Sequence, residues 1–244
     1  SMIPVFVVGV FFKDQVEYCK EIDKHILPVS VDETVTQHVY RKRPESEKSI
    51  VKGINSTGVN ELFNTGDIMT TVLKDVFQNV NVYEDRVRLL QYPFDSPISD
   101  NGISFYRYYI MDTLYVEQDK CFHLTFVPNN SQDFGFTGHL YILADSTFRL
   151  KECVLNLPKK TDVNFVENMQ ITQLFGALPT GEWVQTTDDM LCELNMFGGR
   201  FMVRRVTRNR NTNVFKLHDC NAFGYGIRTI ASNLCAITVR ERLF

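Results

Sequence analysis

The chain has 244 residues, of which 44% are hydrophobic and 23% charged, and its formal net charge is −3. These are the values of an ordinary globular protein, long enough for one large domain or two small ones. The small net charge excludes a general attraction to nucleic acid or to an anionic membrane. Nineteen Phe and ten Tyr against one Trp favour β-strands.

The first part of the chain mixes apolar and charged residues. Residues 3–12 are apolar but shorter than the roughly 20 residues of a membrane span. Because of this short length, we expect no transmembrane segment. The residues also lack the basic flank and small-residue cleavage site of a signal peptide. Residues 11–26 place apolar side chains at helical intervals, which predicts a helix. Residues 29–40 alternate valines with polar residues, which predicts a strand.

The clearest helical pattern covers residues 67–79, where the apolar residues fall on one stripe. That stripe is formed by Ile68, Met69, Val72, Leu73, Val76, Phe77 and Val80. Residues 94–102 follow as a loop rich in Ser, Asp, Pro and Gly.

A run of four strands then forms the centre of the predicted fold. Alternation of apolar and polar side chains places these strands near 105–111, 121–127, 136–143 and 148–156. The first of them carries bulky side chains on both faces, so we expect it to be central and covered on both sides.

The fourth strand contains a break in its alternation. Phe148 and Leu150 occupy even positions, whereas Cys153, Leu155 and Leu157 occupy odd ones. A β-bulge near residues 151–152 would return both groups to the same face of the sheet.

We expect the apolar side chains of this meander to lie on one inner face, beneath the helical stripe. The predicted fold is therefore α+β: a large, mostly antiparallel, curved β-sheet with one or two covering helices. The inner-face residues are also the candidates for an apolar ligand groove at the open edge: Phe122, Leu124, Phe126, Phe134, Phe136, Leu140 and Ile142.

Three side chains raise the question of a metal site. Cys121 and His123 share a strand face, and His139 could lie beside them on a neighbouring strand. Cys and His ligands suit zinc, but no third and fourth ligand is visible at a suitable spacing. We expect no metal here.

The sequence nominates no catalytic residue and no cofactor, because no nucleophile elbow, phosphate-binding loop or dinucleotide motif occurs. Asp188 and Asp189 are adjacent on a strand, so they should point to opposite faces rather than form a catalytic pair. The arginines that follow indicate a solvated strand edge rather than a nucleic-acid site; they are Arg200, Arg204, Arg205, Arg208 and Arg210.

The six cysteines show no C-x-x-C spacing, and we expect them to be small buried hydrophobic side chains. One disulfide is the alternative if the protein is exported.

Four stretches resemble a Bacteroidetes family. It is the domain of unknown function that follows a carboxypeptidase-regulatory-like domain in outer-membrane-associated, TonB-linked proteins. The stretches are residues 27–58, 94–113, 121–150 and 155–175, of which the third, CFHLTFVPNNSQDFGFTGHLYILADSTFRL, is the most specific.

The resemblance implies a periplasmic, outer-membrane-associated protein without known activity. It divides the chain into a lead-in of strand and helix (1–26), a single α+β domain (27–210) and an atypical C-terminal extension (211–244). The strand and helix pattern is also similar to the lipoprotein-carrier half-barrel.

Three functions follow as hypotheses. The first is a non-enzymatic module that binds an apolar small molecule, a lipid or an outer-membrane protein in a nutrient-uptake or envelope context. The alternative is a glycan- or peptide-processing hydrolase of the same uptake system, and a third hypothesis is a structural spacer.

Two short segments match the acceptor pattern of Bacteroidetes periplasmic O-glycosylation, an Asp followed by Ser or Thr and a small or apolar residue. They nominate Thr113 and Ser146 as modification sites. Ordinary turn chemistry is the alternative explanation of both segments.

Overall fold

The fold is a large antiparallel β-sheet. The computed structural model describes residues 17–19, 24–42, 45–58, 76–90, 92–130, 132–157, 165–196, 199–216 and 225–240. Its elements are β1 (Glu17–Cys19), β2 (Lys24–Lys42), β3 (Glu45–Gly58), β4 (Arg86–Leu89), β5 (Tyr92–Asp95), α1 (Gly102–Phe105), β6 (Tyr106–Val116), β7 (Asp119–Pro128), β8 (Thr137–Leu143), β9 (Leu150–Asn156), β10 (Val166–Ala177), β11 (Trp183–Met196), β12 (Gly199–Lys216) and β13 (Tyr225–Arg240).

Eleven of the described strands form one sheet in the order β1-β2-β13-β12-β11-β10-β9-β8-β7-β6, with β3 also paired to β2. Every pairing in it is antiparallel. Strands β4 and β5 form a separate hairpin. The predicted antiparallel sheet is confirmed, and β13 lies within it, between β2 and β12.

The predicted four-strand meander corresponds to β6–β9, and its bulge lies at the predicted place. Tyr141 of β8 is opposite Glu152, whereas the next residue, Ile142, is opposite Leu150. Lys151 is therefore the extra residue. The bulge explains why Leu150 and Lys151 are both buried although they are neighbours in a strand.

One face of this sheet, called the core face below, carries the apolar core. Phe126 of β7 is opposite Gly138 of β8, which in turn is opposite Leu155 of β9. Both large side chains are almost fully buried. The core is completed by residues of the segment 76–105, among them Val76 and Phe94.

The predicted helix over 67–79 falls mainly outside the described residues. Val76 is helical and residues 77–80 are not, so the helix ends three residues earlier than predicted. Val76 is fully buried in the same core as the meander, and Phe77 packs against it, as expected for the end of the apolar stripe.

A buried polar network fixes this covering segment to the sheet. Arg205 Nη1 donates to the carbonyl of Phe77 over 2.6 Å, and Gln173 Nε2 donates to the carbonyl of Val80 over 2.8 Å. Asp188 accepts from both side chains, at 2.9 Å from Gln173 and 3.2 Å from Arg205. Burial raises the pKa of Asp188, and the bonds to Gln173 and Arg205 offset part of that effect. Two backbone carbonyls of the segment that follows the helix are thus satisfied by side chains of the sheet.

Two tyrosines of β6 hold the loop that precedes it. Tyr106 Oη donates to the carbonyl of Asp95 over 2.7 Å, and Tyr108 Oη donates to that of Pro97 over 2.6 Å. Burial raises the pKa of Tyr108 to about 12 and raises that of Tyr106 as well, so both hydroxyl groups remain hydrogen-bond donors at neutral pH.

The helix predicted over 11–26 is wrong in its described part. Glu17–Cys19 forms β1, which pairs with Lys24 to Ile26 at the beginning of β2. A short apolar spacing does not decide between helix and strand when a long neighbouring strand offers hydrogen-bond partners.

The expectation that the first meander strand is central and covered on both faces is also wrong. β6 is the last strand in the sheet order. Its bulky side chains are not all covered. Tyr106 is buried in the core, whereas Tyr109 and Ile110 are exposed to solvent.

Candidate functional site

A group of exposed apolar side chains lies along β6. Ile110 is 77% exposed, Met111 60% and Tyr115 69%. Phe122 of β7 is exposed on the same face as Ile110, and Tyr109 is exposed on the opposite face. We call these five residues the β6 edge surface. Edge strands are usually guarded by charge, proline or a covering element, and an apolar edge of this length is therefore a candidate binding surface.

A bulge shapes this edge. Ile110 is opposite Leu124, but Asp112 is opposite His123, so Met111 is the extra residue. The bulge turns Asp112 onto the face opposite the core face, where it meets the imidazole of His123. A bulge beside a functional surface commonly re-aims a side chain in this way.

Asp112 begins a chain of three side chains across β6, β7 and β8. His123 Nδ1 lies 2.8 Å from Asp112 Oδ1, and His123 Nε2 lies 2.9 Å from His139 Nδ1. Thr125 Oγ1 is 3.2 Å from the same nitrogen of His139. The ring of Tyr141 stacks on that of His123 at a centroid distance of 4.8 Å. His139 does lie beside His123, as strand alternation predicted.

Burial and the neighbouring His123 lower the pKa of His139. Burial also raises the pKa of Tyr141, with the carboxylates of Glu152 and Asp112 adding to the effect. At neutral pH His139 is therefore uncharged. The His123–His139 contact can then be an ordinary N–H···N hydrogen bond, in which one ring donates and the other accepts.

The three side chains considered as metal ligands in the sequence, and expected to bind no metal, make separate contacts. The thiol of Cys121 is buried and contacts the carbonyl of Asp119 at 3.5 Å, while the two histidines bond to each other. In the part of the chain that the structure describes, no three His, Cys, Asp or Glu side chains are grouped so that they could hold a metal ion.

Three of the cysteines lie in described positions with their side chains, and each is a buried free thiol: Cys121, Cys153 and Cys192. Burial raises the pKa of Cys192 to about 12 and raises that of Cys153 as well. Thiols in such surroundings are inert, since the thiolate is the reactive form.

The seven candidate groove residues divide into two groups. Phe126, Phe136 and Leu140 are buried in the core, and Leu124 and Ile142 are half-buried against it. Phe122 and Phe134 are more exposed; Phe134 stacks on Phe94, which also stacks on Phe136. That these residues bind a ligand stays a prediction.

The two candidate acceptors of O-glycosylation are exposed. Thr113 lies in β6, and Ser146 lies in the turn between β8 and β9. In that turn Asp145 Oδ1 accepts from the backbone N–H of Thr147 over 2.8 Å, which is ordinary turn chemistry. Modification at either residue stays a prediction.

The arginines of β12 are largely paired. Arg204 forms two bonds to Asp189, of which the shorter is 2.6 Å, while Arg205 reaches Asp188 on the core face. The adjacent aspartates do point to opposite faces, as alternation predicts. A sequence pattern could not show the buried network, because its members come from three separate strands.

Comparison with known proteins gives a family and no activity. A family model described as a family of unknown function, DUF5686, matches residues 7–212. The chain belongs to this family. No curated protein and no solved structure matches this DUF5686 chain, so the site has to be interpreted from its own geometry. No helix in the described part of this DUF5686 chain is long and apolar enough to cross a membrane.

Proposed function

We propose that this DUF5686 protein is a non-enzymatic binding module whose partner is another protein, held at the β6 edge surface. The observation that carries the proposal is the grouping of Ile110, Met111 and Tyr115 on one sheet edge, each 60% exposed or more. Single exposed apolar side chains are normal, but a contiguous group of them marks an interaction site.

The core face of the meander favours a protein partner over an enclosed apolar ligand. Phe126 and Phe136 are at most 1% exposed, and Phe94 stacks on Phe136 at a centroid distance of 4.4 Å. Tyr106 meets Phe126 edge-on at 5.3 Å. Packed interiors leave little room for a guest molecule, so a small ligand would have to displace this covering segment.

The setting we propose is the periplasm, at the outer membrane, in a nutrient-uptake or envelope context. The support for it is the resemblance of the four sequence stretches to a family with that setting. An outer-membrane protein is then the partner class that fits, and an apolar small molecule or lipid is the less favoured ligand.

Site-directed photo-crosslinking in the native host tests the proposal. A benzophenone amino acid at Met111 should give a discrete protein adduct, and Ile110→Lys in the same chain should abolish it. The matched control is the same probe at Phe148, which is 64% exposed in the turn between β8 and β9 and should give none. Equal adducts at both positions, or an adduct unaffected by Ile110→Lys, would contradict a specific interface.

One observation favours the alternative hydrolase. Asp112 and His123 have the arrangement of an orienting carboxylate and a base, at 2.8 Å. Within the described residues, however, both ring nitrogens of His123 already have protein partners. Hydrolysis of a peptide or glycan library that disappears in His123→Ala, with the fold retained, would place this function first.

A further inference from the structure

The first half of β6 turns part of its backbone toward the free edge of the sheet. The N–H of Asn129 donates to the carbonyl of Phe105 over 2.8 Å. This bond determines which residues of β6 direct their N–H and C=O groups toward β7. Bonded positions alternate along an antiparallel pair. In the register of this pair, Tyr108 and Ile110 therefore direct their N–H and C=O groups away from β7.

The second half does the same after the bulge. The N–H of Ala144 donates to the carbonyl of Lys120 over 2.8 Å, so Lys120 directs that carbonyl toward β8. Tyr115 is opposite Lys120 and consequently turns its own N–H and C=O outward. Thr113, two residues earlier, also turns its N–H and C=O groups outward. The extra residue Met111 explains why the outward positions have even numbers before the bulge and odd numbers after it.

These four outward positions need a main-chain partner. Among the strands that the structure describes, β6 has one neighbour, β7. A row of unpaired N–H and C=O groups at this spacing is matched by another extended strand. A helix cannot match it, because its own main-chain groups are already bonded to one another.

The side chains around the edge define the chemistry of that strand. Ile110 and Tyr115 stand on the core face beside Phe122 of β7, so the incoming strand needs apolar side chains at alternate positions. Arg107 is exposed on the opposite face, and no ion pair joins it to another described residue. An acidic side chain on the incoming strand would complement it.

We propose that the occupant of the β6 edge surface is an extended segment of a partner protein that adds to the sheet as a strand beside β6. This segment has apolar side chains at alternate positions and an acidic residue facing Arg107. The inference rests on the proposed function and specifies the form of its partner. Main-chain hydrogen bonds supply affinity in this mode of recognition, and alternate side chains supply selectivity.

Substitution of Thr113 separates main-chain from side-chain binding. Thr113→Pro removes an outward N–H without removing a bond to β7, so the fold should persist. Thr113→Val is the matched control, because it keeps the N–H and changes the side chain. The probe is a fluorescein-labelled peptide copying residues 119–128 with Ser in place of Cys121 and with Asp in place of Val127, the residue opposite Arg107 in the β6–β7 register. A second peptide, with Ser also in place of Phe122, Leu124 and Phe126, controls for sequence.

Strand addition predicts that the wild type binds the first peptide and not the second, measured by fluorescence anisotropy. Thr113→Pro should weaken binding by about tenfold or more, while Thr113→Val should change it by less than about threefold. A circular-dichroism melt must show that both variants fold.

Failure of strand addition and failure of the proposed binding surface would give different results. If Ile110→Lys abolishes binding but Thr113→Pro behaves like Thr113→Val, the surface binds without adding a strand. The inference is then overturned and the proposed function stands. Absence of saturable peptide binding by the wild type also overturns the inference. A wild-type dimer that Thr113→Pro dissociates, in sedimentation analysis, would make a second copy the occupant and overturn the partner proposed here.

Discussion

Lys151 Nζ lies 2.6 Å from Glu117 Oε2 and so joins the bulge of β9 to the turn between β6 and β7. Asp119 accepts from the same nitrogen at 3.0 Å. The side chain of Lys151 is 5% exposed, whereas both carboxylates reach solvent. Burial opposes the charge on Lys151, but the hydrogen bonds that its ammonium group donates to Glu117 and Asp119 outweigh burial and raise the pKa of the lysine.

Lys151→Met should therefore lower the free energy of unfolding by about 1–3 kcal/mol, since two charge-assisted hydrogen bonds are lost while most of the aliphatic stem is kept. Chemical denaturation measures this. The exposed Lys48 of β3 is the control, and Lys48→Met should stay within about 0.5 kcal/mol of the wild type. Equal effects of the two substitutions would show that the buried ion pair contributes nothing.

Gly138→Ala should destabilise the protein by about 3 kcal/mol or more. A Cβ on Gly138 would lie 1.8 Å from the backbone oxygen of Val154, and backbone cannot move aside without breaking the β8–β9 pairing. Gly53 of β3 is the matched control, because a Cβ there meets nothing within 4 Å. Gly53→Ala should leave the thermal midpoint unchanged or raise it. A folded, wild-type-like Gly138→Ala variant would contradict the packing of these two strands.

Phe126→Ala should cost about 3–5 kcal/mol, because it empties a site at the centre of the core. Phe126 is fully buried, whereas Phe148 is 64% exposed, so Phe148→Ala serves as the control and should have little effect. A small loss of stability in Phe126→Ala together with weaker uptake of an apolar fluorescent probe would instead indicate a ligand pocket.

The protein should become less stable as the pH falls through the range in which histidine takes up a proton. Burial and the neighbouring His123 lower the pKa of His139 in the folded protein below its ordinary value of 6.5. Below the unfolded pKa the unfolded chain therefore binds more protons than the folded one, so stability is complete above that value and is lost as pH falls toward the folded pKa.

Urea denaturation between about pH 5 and pH 8 measures this effect. His139→Gln, which cannot take up the proton, should flatten the curve in the acidic part of that range. An unchanged slope in His139→Gln would assign the pH dependence to other groups.

The alternation of apolar and polar side chains predicted much of the sheet and the bulge in β9. Neighbouring residues in a strand point to opposite faces whatever surrounds them. The even and odd apolar positions on either side of Lys151 required an extra residue, and the structure has it there. The same reasoning placed His123 and His139 on one face.

The order of the strands could not be predicted in this way. Bulk on both faces of 105–111 fits a central strand and also fits an apolar edge, and the decision depends on which strands lie beside it. The bond between Asp112 and His123 depends in turn on the bulge at Met111. Asp188 and Arg205 meet only because β11 and β12 pair in one register.

Amide hydrogen exchange along β6, followed by NMR, shows whether this edge of the sheet is free to accept a strand. If this edge is free, the amides of Tyr108, Ile110, Thr113 and Tyr115 should exchange fast, whereas those of Tyr109 and Leu114 should be protected by β7. The fast set should become protected when the strand-forming peptide is added. Uniform protection of all β6 amides before any peptide is added would show that the edge is already covered, and would contradict the account.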